Sequence, residues 1–145
     1  MKLIRIVALL ALGLATLGAR LTPAVAAPPP PSFAAELSDD GACAFTVVAT
    51  WKGAKVATVF ARFFVDGAFV ATMQAPFNPG NPNAGTLKGR QATFHTGAFV
   101  PTAQAHGWYV LVDFYDGDNG SGANLAQLQT STVTVNCSVP PPPPT

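Results

Sequence analysis

Between residues 32 and 139, apolar and polar positions alternate with the period of two that is typical of β-strands. The clearest stretch runs from Gly107 to Tyr115, where aromatic and β-branched residues are bounded on both sides by turn-forming residues. One face of this strand is wholly apolar (Trp108, Val110, Val112, Phe114) and the other is mixed (Tyr109, Leu111, Asp113, Tyr115). We therefore expect a central strand that packs on a core and is partly open behind.

Six further strands are expected around this one, and almost no segment has helical periodicity. They lie within 33–37, 43–51, 56–65, 68–74, 92–100 and 126–137. A long irregular connection is expected at 76–85, because this segment is rich in proline, asparagine and glycine. Short alternating segments separated by turns predict an all-β sandwich or barrel.

The dipeptide Asp66-Gly67 is the strongest turn signal in the chain, since both central positions of a type I′ turn require positive φ. A two-residue turn fixes the register of the hairpin that it closes. The expected partners are Val65 with Ala68, Phe64 with Phe69, and Phe60 with Met73.

Seven strands in about 108 residues indicate a seven-stranded antiparallel two-sheet sandwich. Their number and spacing, from Phe33 to Cys137, resemble the immunoglobulin-like and fibronectin type III-like superfamily. The resemblance implies an immunoglobulin-like sandwich in which the third and sixth strands are neighbours.

The ends of the chain predict export. Residues 1–27 combine a basic start, an apolar run that ends before Arg20 and the small residues Ala24-Val25-Ala26, which is the pattern of a cleaved signal peptide. A membrane anchor is the disfavoured alternative, because the run is shorter than the roughly 18–20 residues needed to span a bilayer. Proline runs at 28–31 and 140–145 predict stiff spacers that bracket one domain at 32–139. We expect a secreted or periplasmic protein with no transmembrane segment after cleavage.

Composition narrows the possible partners. Without residues 1–27 the chain keeps five basic and seven acidic residues, a net charge of about −2, and no basic stripe. This balance argues against nucleic-acid binding. Two cysteines in an exported chain predict one disulfide, Cys43–Cys137, with two free thiols as the alternative. The bond would close nearly the whole domain and be worth roughly 4–5 kcal/mol.

Catalytic signals are weak. His95 and His106 lie in no metal-ligand pattern, and no nucleophile elbow or oxyanion-hole motif is present. The acidic turn at 116–122 lacks the glycine and glutamate of an EF-hand loop, which leaves only a looser calcium site open. We expect no catalytic residues, no metal and no cofactor, and therefore not an enzyme.

The hairpin at 56–74 is the most informative segment. If its two strands pair without a bulge, both of its faces are largely apolar. The second face holds Phe60, Arg62, Phe64, Phe69, Ala71 and Met73. Either the 76–85 loop covers this face or the face is an exposed patch. If the third and sixth strands are neighbours, Arg62 and Asp113 could pair across them.

These residues define a candidate binding face: Phe60, Arg62, Phe64, Phe69, Tyr109, Asp113 and Tyr115. Aromatic rings with a few charges suit a polysaccharide or a protein ligand. The sequence thus favours a non-catalytic binding module, adhesion-like or an envelope accessory protein. The alternative is a structural subunit that self-associates through the apolar 56–74 hairpin.

Overall fold

A computed structural model describes residues 24–41, 43–76, 85–96 and 105–136. These ranges hold nine strands: β1 (Ser32–Gly41), β2 (Ala44–Lys52), β3 (Thr58–Val65), β4 (Ala68–Ala75), β5 (Thr86–Lys88), β6 (Gln91–His95), β7 (Ala105–Tyr115), β8 (Asn124–Gln129) and β9 (Val133–Asn136). A short 3-10 helix, Asp118–Gly120, lies between β7 and β8. The described residues contain no α-helix, and the all-β prediction is confirmed.

The strands form two antiparallel sheets. One has the order β1-β2-β6-β5, and the other has the order β4-β3-β7-β8, with β9 also pairing with β7. Strand β7 is the centre of the second sheet, because β3 lies along one side of it while β8 and β9 lie along the other. The predicted neighbour relation between the third strand and the 107–115 strand is confirmed.

The core lies between the two sheets. As predicted for β7, Trp108, Val110, Val112 and Phe114 are buried. The ring of Phe114 lies 5.0 Å from that of Phe33 and 6.0 Å from that of Trp51, both from the other sheet. Alternate residues of β2, from Phe45 to Trp51, complete the other half of this core. Burial of these side chains is the main force that holds the sheets together.

The prediction of seven strands is wrong, because the described residues form nine. Strand β5 was missed since it has only three residues, and it pairs with β6 through the turn at Gly89 and Arg90. The expected strand 126–137 is interrupted after Gln129 and continues as β9. This segment contains one residue more than the part of β7 that it faces. Gln129 lies opposite Leu111 and Val133 lies opposite Trp108, so four steps along this segment match three steps along β7.

Thr130 holds this interruption in place. Its backbone N–H donates to the carbonyl of Val110 at 2.9 Å, and its hydroxyl accepts from the Val110 N–H at 3.0 Å. The side chain thus replaces a backbone partner that the irregular strand would lose, which lets Thr130 be buried.

The β3–β4 hairpin confirms part of the predicted register. Asp66 and Gly67 both have positive φ, at 46° and 83°, and Val65 lies opposite Ala68 as expected. The predicted pairing of Phe60 with Met73 is wrong: a bulge at Val70 shifts the register, and Phe60 lies opposite Gln74. A turn controls the register only up to the first bulge.

The bulge changes which side of β4 faces the core. Met73 is buried in the core, whereas Thr72 lies opposite Arg62 on the outer face. The expectation that Ala71 and Met73 extend an apolar second face is therefore wrong. The outer face of the hairpin carries Thr72 and Gln74 instead, so it is less apolar than the sequence predicted.

Several predictions fall on the termini and loops. Residues 28–31 are exposed and lie outside the strands. Residues 1–23 of the predicted signal peptide, the 140–145 tail and positions 77–84 of the long loop lie outside the described residues. Cys43 is buried, but Cys137 is also outside them, so the disulfide stays a prediction. In the portion of the chain that is described, no helix is long and apolar enough to cross a membrane.

Candidate functional site

The seven residues of the predicted binding face lie together on the outer side of the five-stranded sheet, away from the core. Strands β3 and β7 bring them together, with Phe64 opposite Tyr109 and Phe60 opposite Asp113. We call this set the aromatic face: Phe60, Arg62, Phe64, Phe69, Tyr109, Asp113 and Tyr115.

The aromatic rings of this face form two groups. Phe64 stacks on Tyr109 with ring centres 5.0 Å apart and planes within 2°, and Phe69 meets Phe64 edge-on at 5.8 Å. Phe60 and Tyr115 form a separate edge-to-face pair at 5.8 Å. Phe69 is 58% exposed, whereas the other four rings of the face are partly buried.

Between the two groups lies the predicted ion pair. The Arg62 guanidinium donates to Oδ2 of Asp113 from Nε at 3.0 Å and from Nη2 at 2.8 Å. Oδ1 accepts from Gln127 Nε2 at 2.6 Å and, more weakly, from Asn124 Nδ2 at 3.4 Å. Asp113 is only 4% exposed, so these four donors replace the water that its carboxylate loses on burial.

Gln127 and Asn124 are site residues that the sequence reasoning missed. Strand β8 places them beside β7, with Gln127 opposite Asp113. A weak signal existed, because Gln127 lies between the apolar residues Ala126 and Leu128 in an alternating pattern. Without knowledge of the neighbouring strand, that pattern gave no reason to place the amide against a carboxylate.

A depression of about 330 Å³ opens on the aromatic face. It is lined by Phe60, Arg62, Thr72, Asp113, Tyr115, Asn124 and Gln127. The 3-10 helix approaches one side closely, because a Cβ added to Gly120 would lie 2.6 Å from the ring of Phe60. Gly120 also has φ of 74°, so glycine suits both the backbone and the close approach.

The outer face of the four-stranded sheet differs in chemistry. Its outward positions are mostly polar, among them Glu36, Ser38, Thr46, Thr50, Lys88, Gln91 and Thr93. Within the described strands, this surface carries no outward-facing phenylalanine, tyrosine or tryptophan. A polar outer face of this kind is typical of an antiparallel sheet exposed to water.

His95 takes part in a chain of hydrogen bonds on this polar face. Its Nδ1 lies 2.8 Å from the hydroxyl of Thr46, which in turn donates to the carboxylate of Asp40. In a nucleophilic triad the imidazole lies between the hydroxyl and the carboxylate. Here the hydroxyl lies between the other two groups, so this order does not activate Thr46 as a nucleophile.

His106 lies at the beginning of β7, in the five-stranded sheet, and contacts Asp66 in the turn between β3 and β4. Its Nδ1 is 2.5 Å from Oδ2 of Asp66, while Oδ1 accepts from the N–H of Gly107 at 2.8 Å. These contacts tie the hairpin turn to the beginning of β7. Among the described residues, no group of three or more His, Cys, Asp or Glu side chains is placed to hold a metal ion.

The hydrogen bond from His106 and, to a smaller extent, the one from the Gly107 N–H hold the pKa of Asp66 below its ordinary value of 3.8. A carboxyl group whose pKa is lower in the folded state adds stability above its unfolded pKa, and this contribution is lost as the pH falls through the folded pKa. We expect the stability advantage of the protein over Asp66→Asn to be present at neutral pH and to be lost below about pH 4.

Asparagine suits this test because Asn-Gly forms the same type I′ turn, so only the charge and its hydrogen bonds change. Urea denaturation of both proteins between neutral pH and pH 2.5 measures the difference. An advantage that is undiminished at pH 2.5 would contradict the assignment.

Comparisons with protein-family models, with curated proteins and with solved structures found no match. A function for this chain must therefore be inferred from the geometry of its own residues. All seven residues of the predicted binding face meet on one surface, and the structure adds the depression and the amides of β8 to it.

Proposed function

We propose that the protein is an exported, non-catalytic binding module that holds a polysaccharide or a protein ligand on the aromatic face. The contrast between the two outer faces of the molecule carries this proposal. One is polar, as solvent exposure requires, whereas the other carries five aromatic rings, one exposed and four partly buried, around an ion pair whose carboxylate is buried. Rings exposed in this way lose little conformational entropy on binding and offer large apolar area.

The fixed geometry of the face supports binding. Asp113 orients Arg62 and Gln127 through short hydrogen bonds, and Phe64 and Tyr109 hold each other by stacking. A surface that is already ordered loses less conformational entropy when it binds a ligand. Export is proposed from the pattern of residues 1–27 and places the ligand in the cell envelope or outside the cell.

We also propose that the fold is immunoglobulin-like. Lettered in chain order, the sheets read A-B-E-D (β1-β2-β6-β5) and C′-C-F-G (β4-β3-β7-β8), which agrees with the strand order of such domains.

We also propose a disulfide between Cys43 and Cys137. It is supported by the burial of Cys43 and by the contact of β1 with β9, which ends one residue before Cys137.

The proposed function is tested by retention of the protein in native gels that contain soluble plant, fungal or bacterial polysaccharides, and on immobilised cell-surface proteins. We expect retention by at least one ligand and a loss of about tenfold or more in affinity for Phe69→Ala and Tyr115→Ala. Phe69 is exposed, so its removal tests binding with little effect on folding.

Thr50→Ala, on the polar face, is the matched control and should bind like the unmodified protein. If no ligand is retained, or if the two aromatic substitutions bind as well as the control, the proposed function is wrong.

Self-association through the hairpin is the alternative function, and one observation favours it. Phe69 and Val70 lie on β4, which is an edge strand in the described sheet, and they are exposed by 58% and 39%. Exposed apolar edge strands pair readily with other chains. Sedimentation of the same protein separates the two functions, because a binding module is a monomer without ligand and an assembly subunit is not.

A further inference from the structure

We infer that the depression on the aromatic face binds one neutral pyranose unit of a polysaccharide. This inference rests on the proposed binding function and assigns its ligand class. It follows from the charge, the free hydrogen-bonding groups and the size of the depression.

The charge of the depression is balanced within the protein. Among the described residues that line it, Arg62 is the only cation and Asp113 the only anion, and the two are joined by two hydrogen bonds to the same carboxylate oxygen. An anionic ligand such as a phosphate would have to compete with Asp113 for the guanidinium. A cation would have to compete with Arg62 for a carboxylate that is already saturated. The pairing therefore favours an uncharged ligand.

Donors and acceptors remain around this pair. Gln127 and Asn124 each use one amide N–H on Asp113, which leaves the carbonyl oxygen and the second N–H of each side chain for a ligand. In the described part of the chain, the hydroxyls of Thr72 and Tyr115 make no side-chain hydrogen bond. A mixture of donors and acceptors matches sugar hydroxyls, because each hydroxyl both donates and accepts.

The apolar part of the depression supplies the remaining contact. Phe60 and Tyr115 form its aromatic wall, and the C–H face of a pyranose ring is the apolar surface that packs on such rings. The volume of about 330 Å³ is at the lower end of the roughly 300–1,000 Å³ of ligand sites. The depression therefore holds one sugar unit, and the neighbouring units of a chain would lie along the sheet toward Phe64.

The test is an NMR titration of the protein with the methyl pyranosides of glucose, galactose, mannose and N-acetylglucosamine. We expect at least one of them to shift the side-chain amide signals of Gln127 and Asn124 saturably, with Kd of roughly 1 mM for so small a ligand. Gln127→Ala should weaken this binding by about tenfold.

Two further variants make the result specific. Gln91→Ala removes an equivalent amide from the polar face, where its Nε2 donates to Thr93 at 3.1 Å, and should leave the sugar titration unchanged. Asn124→Ala tests the site without risk to folding, since Asn124 is exposed and its bond to Asp113 is long at 3.4 Å.

The inference is overturned if none of the four glycosides shifts these amides at tens of millimolar concentration. It is also overturned if inorganic sulfate binds at the same signals with higher affinity, or if a protein is the only ligand that the face retains. In each case, retention that still depends on Phe69 would keep the proposed binding function intact, so the two failures can be distinguished.

Discussion

Phe114→Ala is expected to lower the free energy of unfolding by about 3–5 kcal/mol. The side chain is fully buried near the end of β7 and contacts Phe33 and Trp51 of the opposite sheet. Its removal leaves a cavity between two sheets whose backbones are each held by their own hydrogen-bond ladders, and such a site cannot collapse to fill the space. Urea denaturation followed by tryptophan fluorescence measures the change.

The matched control is Phe69→Ala, which deletes the same side chain from an exposed position and should cost less than about 1 kcal/mol. Equal losses in the two variants would show that β7 does not face the core as described. Comparable slopes of the unfolding curves would confirm that the comparison concerns folded-state stability.

Asp113→Ala is expected to cost about 2–4 kcal/mol. The buried carboxylate accepts four hydrogen bonds, and its loss leaves Arg62 and Gln127 without their shared acceptor. Because Arg62 is about one-third exposed, water restores part of its solvation, which keeps the expected value below the upper limit for a fully buried pair. The same substitution should abolish binding in the depression, since the side chains that line it lose their orientation.

Two measurements separate the ion pair from simple loss of packing. Asp118→Ala, which removes an exposed carboxylate from the 3-10 helix, should change stability by no more than about 0.5 kcal/mol. A double-mutant cycle of Asp113→Ala with Arg62→Ala should give a coupling energy of about 1 kcal/mol or more. Additive losses would mean that the two charges do not stabilise each other.

Part of the candidate site could be predicted from the sequence. The alternation in residues 107–115 assigned Asp113 and Tyr109 to the outer face, and the Asp66-Gly67 turn placed Phe69 beside Phe64. Pairing of Arg62 with Asp113 required one more assumption, that β3 and β7 are neighbours, which the resembled fold supplied and the structure confirmed. These predictions succeeded because each depends on residues within one strand or on one strand pair.

The remainder of the site depends on irregularities that have no local signal. The bulge at Val70 turns Thr72 and Gln74 outward, and the interruption at Thr130 lets Leu128 and Val133 both lie opposite core-facing residues of β7. A bulge breaks a hydrogen bond of the strand ladder. It forms only because the new orientation is stabilised by burial against other strands or by a substitute hydrogen-bond partner. That gain comes from segments far away in the chain.

The sequence by itself determined that the chain forms short strands, which of their faces are apolar, and where the tightest hairpin turns. These properties follow from side-chain alternation and from the φ angles that Asp66 and Gly67 tolerate. Only the tertiary structure decided the number of strands, the final register of the hairpin and the meeting of Gln127 and Asn124 with Asp113. The physical reason is that register and edge pairing minimise the free energy of the whole sandwich, in which distant strands compete to bury the same apolar surface and satisfy the same polar groups.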